Sequence, residues 1–322
     1  MAGLEAGAQG CGKQGGQSLK PPPYLGRFAP SPTGPLHFGS LIAAVGSYLD
    51  ARAHSGRWLL RMEDVDEPRC SQAHADEILR VLDAFGFEWD GEVVYQSRRK
   101  ALYQAALERL VDAGHAYPCA CSRREIADSS LAGLDGPVYP GTCREGLAGR
   151  AARAWRVRVD SEPVCFDDRL QGQHCQNLEA DIGDFVVKRA DKLFAYQLAV
   201  VVDDHEQGVT DVVRGADLLA STPRQLHLQR LLGYATPAYL HLPVAVNDAG
   251  QKLSKQTRAA PLQAGEAGPA LVAALRFLGQ KPEAALAHAK GAEVLAWAEE
   301  NWSLPTDLNK TWFSSVSSVP SV

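Results

Sequence analysis

No run of about eighteen apolar residues occurs in the 322-residue chain, which excludes a helical membrane span. An excess of basic charge is missing too: 33 Lys and Arg face 38 Asp and Glu, a net charge of −5. A body coated in positive charge is thereby excluded, and only a local basic patch is left for a nucleic acid. The N-terminus lacks the basic start and apolar core of a secretory signal. Its first residues carry six Gly by Gly16 and end in Pro21-Pro22-Pro23. Residues 1–23 therefore read as a flexible tail of a cytoplasmic protein, and the Ser- and Val-rich residues 306–322 as a second tail. The seven Cys are odd in number, so no disulfide framework is expected, and Cys11, Cys70, Cys165 and Cys175 are expected to be free. With 45% hydrophobic and 22% charged residues, the composition is that of an ordinary globular chain rather than a disordered one. There is no internal repeat.

Short apolar runs alternate with helical periods. Tyr24–Phe28 and Trp58–Met62 read as strands. Leu41, Ile42, Val45, Tyr48 and Leu49 share one helical face, and Ile78, Leu79, Leu82 and Phe85 share another, closed by Gly86. Leu102, Ala106 and Leu110 repeat the pattern up to Gly114. Periodicity is poor from 115 to 180. It resumes with the runs Phe185–Lys188, Leu198–Val202 and Val209–Arg214, then a helix from about Pro223 to Leu232 and Ala-rich helices over 268–300. This alternation on both sides of an irregular middle predicts an α/β sheet split by an insertion.

The most informative segment runs from Arg27 to Ser40, R-F-A-P-S-P-T-G-P-L-H-F-G-S. It follows a strand and opens a helix, the junction at which open α/β sheets bind ligands. The helix start offers free N–H groups and a positive dipole end to a phosphate, Gly34 and Gly39 allow close approach, and His37 can donate to a phosphate oxygen. The alternative is a plain Pro-rich turn capped by Ser40. No Lys follows Gly39-Ser40, so a P-loop is disfavoured. Far downstream, Lys252-Leu253-Ser254-Lys255-Gln256 places two lysines in a polar loop able to neutralise a triphosphate.

Together these segments resemble the HIGH and KMSKS signatures of the class I aminoacyl-tRNA synthetases: His37–Ser40 stands for the first and Lys252–Gln256 for the second. The string Arg27–Gly34 resembles the glutamyl branch, as do Arg61–Asp66, Phe194–Asp204 and Val213–Leu218. The departures are Phe38 and Ser40 in the first signature, and Leu253 and Gln256 in the second. The resemblance, over about 24–258, implies a Rossmann-like catalytic domain with halves at 24–114 and 183–258, split by a zinc-stapled, tRNA-contacting insertion at 115–182. A short helical stem-contact region would follow at 259–305. Only 66 residues follow Gln256, so the expected relatives are the truncated paralogues that lack an anticodon-binding domain.

That resemblance implies an ATP-dependent ligase that activates L-glutamate and esterifies queuosine in the anticodon loop of tRNA(Asp), with Mg²⁺ accompanying ATP. Two alternatives stay open: a glutamate–tRNA ligase charging the 3′ end of tRNA(Glu), and a non-catalytic synthetase-like regulator. His37, Lys252 and Lys255 are the expected catalytic phosphate contacts, with Gly34, Gly39 and Ser40 completing the ATP site. Arg27 and Arg214 can each grip a carboxylate, Glu63 can hold the ammonium, and Ser31 and Tyr196 can add hydrogen bonds. Without the resemblance these would read as a surface salt-bridge partner (Arg214), an acidic turn (Glu63) and a core aromatic (Tyr196).

Cys119-Ala120-Cys121 and Cys143 can chelate one soft metal, with Zn²⁺ expected. Three thiolates leave one ligand short. The resemblance implies Tyr139 as the fourth, and His115 is the chemically ordinary alternative. Arg144, Arg150, Arg153, Arg156 and Arg158 face only Glu145 in their stretch and, with Arg98–Lys100 and Arg123-Arg124, are expected to contact RNA phosphates.

Overall fold

The computed structural model describes residues 23–129, 132–133, 136–246, 260–304 and, as backbone, 313–315. In chain order the first elements are β1 (Leu25–Phe28), α1 (Phe38–Ala53), β2 (Arg57–Met62), α2 (Gln72–Ala84), β3 (Val94–Tyr95) and α3 (Lys100–Asp112). The middle holds β4 (Ala116–Cys119), α4 (Arg123–Ser129), β5 (Ala132–Gly133), β6 (Gly136–Pro137), β7 (Ala154–Val157), β8 (Val164–Asp168), β9 (Gly172–Gln176) and α5 (Leu178–Asp181). Then come β10 (Phe185–Lys188), α6 (Tyr196–Glu206), β11 (Asp211–Gly215), α7 (Thr222–Leu232), β12 (Ala238–Leu242), β13 (Val244–Val246), α8 (Ala267–Phe277) and α9 (Gly291–Asn301).

The expected α/β architecture is present. β1, β2 and β3 form one parallel ladder, and β11 and β12 a second. The two meet where the Thr210 amide donates to the Leu25 carbonyl (2.9 Å) and the Leu25 amide to the Thr210 hydroxyl (2.8 Å). The spatial order is thus β3-β2-β1-β11-β12, and chain order reverses between β1 and β11. That reversal is the switch point at which such sheets leave a crevice beyond their carboxyl ends. Helix α1 crosses the sheet with Leu41, Ile42, Val45, Tyr48 and Leu49 buried, and α8 and α9 cover it from outside in the same apolar core. The run Leu198–Val202 is helical: α6 is buried from Leu198 to Asp204 between α3, α7 and β10, so it needs no polar face.

The irregular stretch is ordered by pairing that no periodicity announced. β4, β7 and β10 make an antiparallel sheet. The hairpin of β8 and β9 leaves that sheet and joins the catalytic one, Asp168 pairing with Tyr239 of β12. Here one expectation fails. Cys165 and Cys175 are not free but disulfide-bonded, because the hairpin register sets them directly opposite each other with 4.1 Å between Cα atoms.

Candidate active site

The Arg27–Ser40 turn is rigid for reasons visible in its composition. Pro30, Pro32 and Pro35 have no N–H to satisfy and a fixed φ. The carbonyls of Pro30 and Pro32 accept from the amides of Glu63 (3.0 Å) and Ser71 (3.1 Å), which tie the turn to the end of β2 and the start of α2. The cap of α1 is His37 rather than Ser40: its Nδ1 accepts from the Ser40 amide at 3.3 Å. In the neutral ring the proton then sits on Nε2, which makes that nitrogen the donor the phosphate reading requires.

A cavity of about 510 Å³ opens at the switch point, within the usual range for small-ligand sites. Its lining includes Arg27, Ser31, His37, Gly39, Ser40, Glu63, Tyr196 and Arg214, residues drawn from β1, the Pro turn, the end of β2, α6 and β11. Of the residues expected there, Gly34 is buried within the turn instead of lining the cavity. Lys252 and Lys255 lie outside the described residues. Both flanks of their segment do reach the cavity. Val244 and Ala245 line it, and on the far side Pro261 bridges His37 while the Leu262 amide donates to the Leu36 carbonyl at 2.9 Å.

The charged groups are held by partners that sequence reasoning missed. Arg61, wholly buried, donates to Glu63 (3.3 Å) and Asp204 (2.8 Å), and Asp204 also accepts from Arg27 Nε (3.1 Å). Burial drives the Glu63 carboxyl upward against the pull of Arg61 and Arg27, whereas those same guanidiniums outweigh burial at Asp204 and hold it low. Burial, with Glu63 nearby, pushes the Tyr196 phenol up to about 12, so it stays a hydrogen-bond donor. Arg214 donates through Nε to His241 (3.0 Å) and through Nη2 to Thr222 (2.9 Å). Its Nη1 is buried with no partner among the described residues. The signal for Arg61 and His241 was present in the sequence: each is a polar residue interrupting an apolar strand, LLRM and YLHL.

A second cluster lies in the insertion. The sulfurs of Cys119, Cys121 and Cys143 all lie within 4.8 Å of one another, with 3.6 Å between Cys121 and Cys143. The Tyr139 hydroxyl is 3.4 Å from the Cys119 sulfur and 3.7 Å from that of Cys121, and it accepts from the Cys143 amide at 3.0 Å. His115 is not part of the group. Tetrahedral Zn–S bonds of about 2.3 Å imply sulfurs about 3.8 Å apart, so the donor set fits a structural metal. Gly183 makes room for Tyr139: its φ is +71°, and a Cβ there would lie 2.4 Å from the Tyr139 carbonyl oxygen.

The expected arginine patch is largely consumed inside the fold. Arg144 grips Asp184 with two nitrogens, each at 2.7 Å. Arg156 is buried over the Tyr139 ring and donates to the Asp184 carbonyl, and Arg158 lies over Tyr117. Arg150 pairs with Glu125. Neighbours in sequence hid these partners, which come from other elements. Arg123, Arg124 and Arg153 are exposed.

The family model for tRNA synthetases class I (E and Q), catalytic domain, matches residues 25–296. A glutamyl-Q tRNA(Asp) synthetase of Dechloromonas aromatica is 66% identical over 284 residues, 87% of this chain and 94% of the relative. The chain belongs to the glutamyl-Q tRNA(Asp) synthetase family. A relative of the same name from Chromobacterium violaceum is 61% identical over 87% of this chain and 94% of its own length. The crystal structure of a glutamate–tRNA synthetase from Elizabethkingia anophelis shares the fold, with a TM-score of 0.73 at 22% identity. That match covers 88% of this chain and 66% of that one. No helix among the described residues is long and apolar enough to cross a membrane.

Proposed function

We propose that this protein uses ATP to activate L-glutamate and transfers the glutamyl group to queuosine in the anticodon loop of tRNA(Asp), the reaction its relatives are named for. The observation that carries the reading is one cavity holding two guanidiniums, Arg27 and Arg214, beside the Glu63 carboxylate and the Tyr196 phenol. Glutamate brings two carboxylates and one ammonium, and these partners match it group for group. The buried Arg214 Nη1, without a partner among the described residues, is a donor able to take an anion.

No protein nucleophile is required. The glutamate α-carboxylate attacks the ATP α-phosphorus, a new O–P bond forms, and pyrophosphate leaves. A hydroxyl of the queuosine cyclopentenediol then attacks the acyl carbon of the adenylate, its proton is released, and AMP departs. The protein aligns reactants and stabilises developing charge. His37 Nε2 and the α1 start meet phosphate, Lys252 and Lys255 are the proposed further positive charges on it, and Mg²⁺ accompanying ATP would screen the phosphate charge. In the insertion Cys119, Cys121, Cys143 and Tyr139 would hold one Zn²⁺ as a structural staple. Exposed Arg123, Arg124 and Arg153 are the insertion's proposed phosphate contacts. The test is to incubate the protein with ATP, labelled glutamate, tRNA(Glu), and tRNA(Asp) with and without queuosine, then digest and weigh the nucleosides. Glutamate on queuosine alone is expected. Glutamate on the terminal adenosine of tRNA(Glu) would replace this reading with conventional charging.

A further inference from the structure

Arg214 does not choose its own orientation. Its Nε and Nη2 are each committed to a protein acceptor, which leaves Nη1 as the buried nitrogen without one among the described residues. The acceptor on Nε is His241 Nε2, brought alongside by the parallel register that pairs Arg214 of β11 with His241 of β12. A guanidinium can only donate, so His241 Nε2 must offer a lone pair. The ring proton therefore sits on Nδ1, and that nitrogen lies 2.6 Å from Asp168 Oδ2. Asp168 is itself fixed, its Oδ1 accepting from the amides of Leu170 (3.0 Å), Gln171 (2.8 Å) and His241 (3.2 Å). All three side chains of the chain Asp168–His241–Arg214 are at most 5% exposed.

We propose that Asp168 and His241 are positioning residues for glutamate recognition: by locking the His241 tautomer they fix the plane of the Arg214 guanidinium, so that its remaining nitrogen meets a substrate carboxylate. The inference rests on the glutamate reading above and names two residues that reading does not use. Neither residue lines the cavity, so they act through Arg214.

The direction of proton occupancy agrees with this assignment. The charged and titratable groups around the imidazole are Asp168 from β8, Arg214 from β11 and Asp217 just after it, with Tyr239 of β12 stacked nearby and the uncharged Thr222 hydroxyl of α7 at 3.2 Å. Burial, joined by the Arg214 charge, outweighs both carboxylates and takes the imidazole down to about 4. The ring is neutral at working pH, as a partner of a guanidinium has to be.

Asp168 belongs to the β8–β9 hairpin inside the stretch expected to be the insertion. Among the described residues its pairing with Tyr239 is the one ladder contact between that hairpin and β12. The Cys165–Cys175 link ties together the two strands that carry it. A hairpin of the middle segment thus supports the amino-acid site from behind.

The test is glutamate-dependent ATP–pyrophosphate exchange with the full-length protein, with KM measured separately for glutamate and for ATP. His241→Phe removes the acceptor and is expected to raise the glutamate KM about tenfold or more while the ATP KM stays within twofold. His241→Gln can still accept from Arg214 Nε and is expected to recover part of that loss. A glutamate KM within twofold of the unsubstituted protein in both variants would overturn the proposal, as would equal rises in both KM values. Should His241→Phe not fold, ¹⁵N spectra of the unsubstituted protein at pH 7 decide. A neutral Nδ1–H ring is expected for His241; an Nε2–H ring or an imidazolium overturns the proposal. If the unsubstituted protein shows no glutamate-dependent exchange at all, the glutamate reading fails and the inference falls with it; exchange without the KM split removes the inference alone.

Discussion

Replacing Asp204 by Asn separates charge from shape in the buried ion group behind the cavity. Asp204 Oδ1 takes Arg27 Nε at 3.1 Å and Arg61 Nη2 at 2.8 Å, with all three side chains nearly sealed from water. Without that carboxylate, two buried guanidiniums are left with Glu63 in contact with Arg61 and Asp203 acting on Arg61 from further away. Removing one partner from such a group costs about 3–5 kcal/mol, against a total stability of about 5–15 kcal/mol. With a urea dependence of about 3 kcal/mol per molar, the unfolding midpoint should fall by about 1–1.7 M with the slope unchanged. Acid titration adds a sign. Arg27 and Arg61 outweigh burial and hold the folded Asp204 carboxyl below its ordinary value. Its contribution is therefore complete above about pH 4 and lost as pH falls through the lower folded value, and Asp204→Asn should flatten that acid limb. A midpoint lowered by less than about 0.3 M would refute the view that this carboxylate neutralises both arginines.

Other outcomes follow from the same geometry. His37→Ala should lower the exchange kcat by about 10²–10³ while the glutamate KM changes little, read in the same exchange assay. Glu63→Gln removes a carboxyl that burial already disfavours, so urea stability should move by no more than about 1 kcal/mol while the glutamate KM rises at least tenfold, by roughly the worth of a charge-assisted hydrogen bond. Cys143→Ser should lose the roughly one equivalent of zinc expected by elemental analysis and lower the thermal midpoint; an unchanged metal content would remove Cys143 from the ligand set. Burial lowers the His241 imidazole in the folded state, so the unfolded chain takes up its proton first as pH drops. His241 should lower stability from about pH 6.5 toward 4, by up to about 3 kcal/mol, and His241→Gln should remove that share while the smaller one from the likewise lowered His227 stays.

The cavity was legible because its residues sit in contiguous strings whose physics is local: a strand, a proline-fixed turn and a helix start. Arg27, Ser31 and His37 were readable that way, Glu63, Tyr196 and Arg214 only through the family resemblance, and the fold brings all six to one cavity. What stayed hidden depends on register between distant elements. Nothing near Cys165 says that Cys175 lies opposite, and nothing near Asp168 says that it touches a histidine seventy-three positions later. The partners of the arginines at 144–158 were hidden for the same reason: Asp184 and Glu125 pair with two of them from other elements. The α6 run was ambiguous because apolar residues on every side erase the period that separates helix from strand.

The Arg27–Asp204–Arg61–Glu63 group joins three elements, β1, the β2 end and α6, and two of its four members line the cavity. On the proposed reading, substrate recognition and the cohesion of the β1–β2 ladder with α6 draw on the same ions. A copy of this gene drifting away from its reaction could shed Glu63 and keep the shell, but not Arg27, Arg61 or Asp204. Loss of any of those three charges would loosen the seam between β1 and α6, and descendants without them should be rare as stable proteins unless that seam is rebuilt with apolar residues.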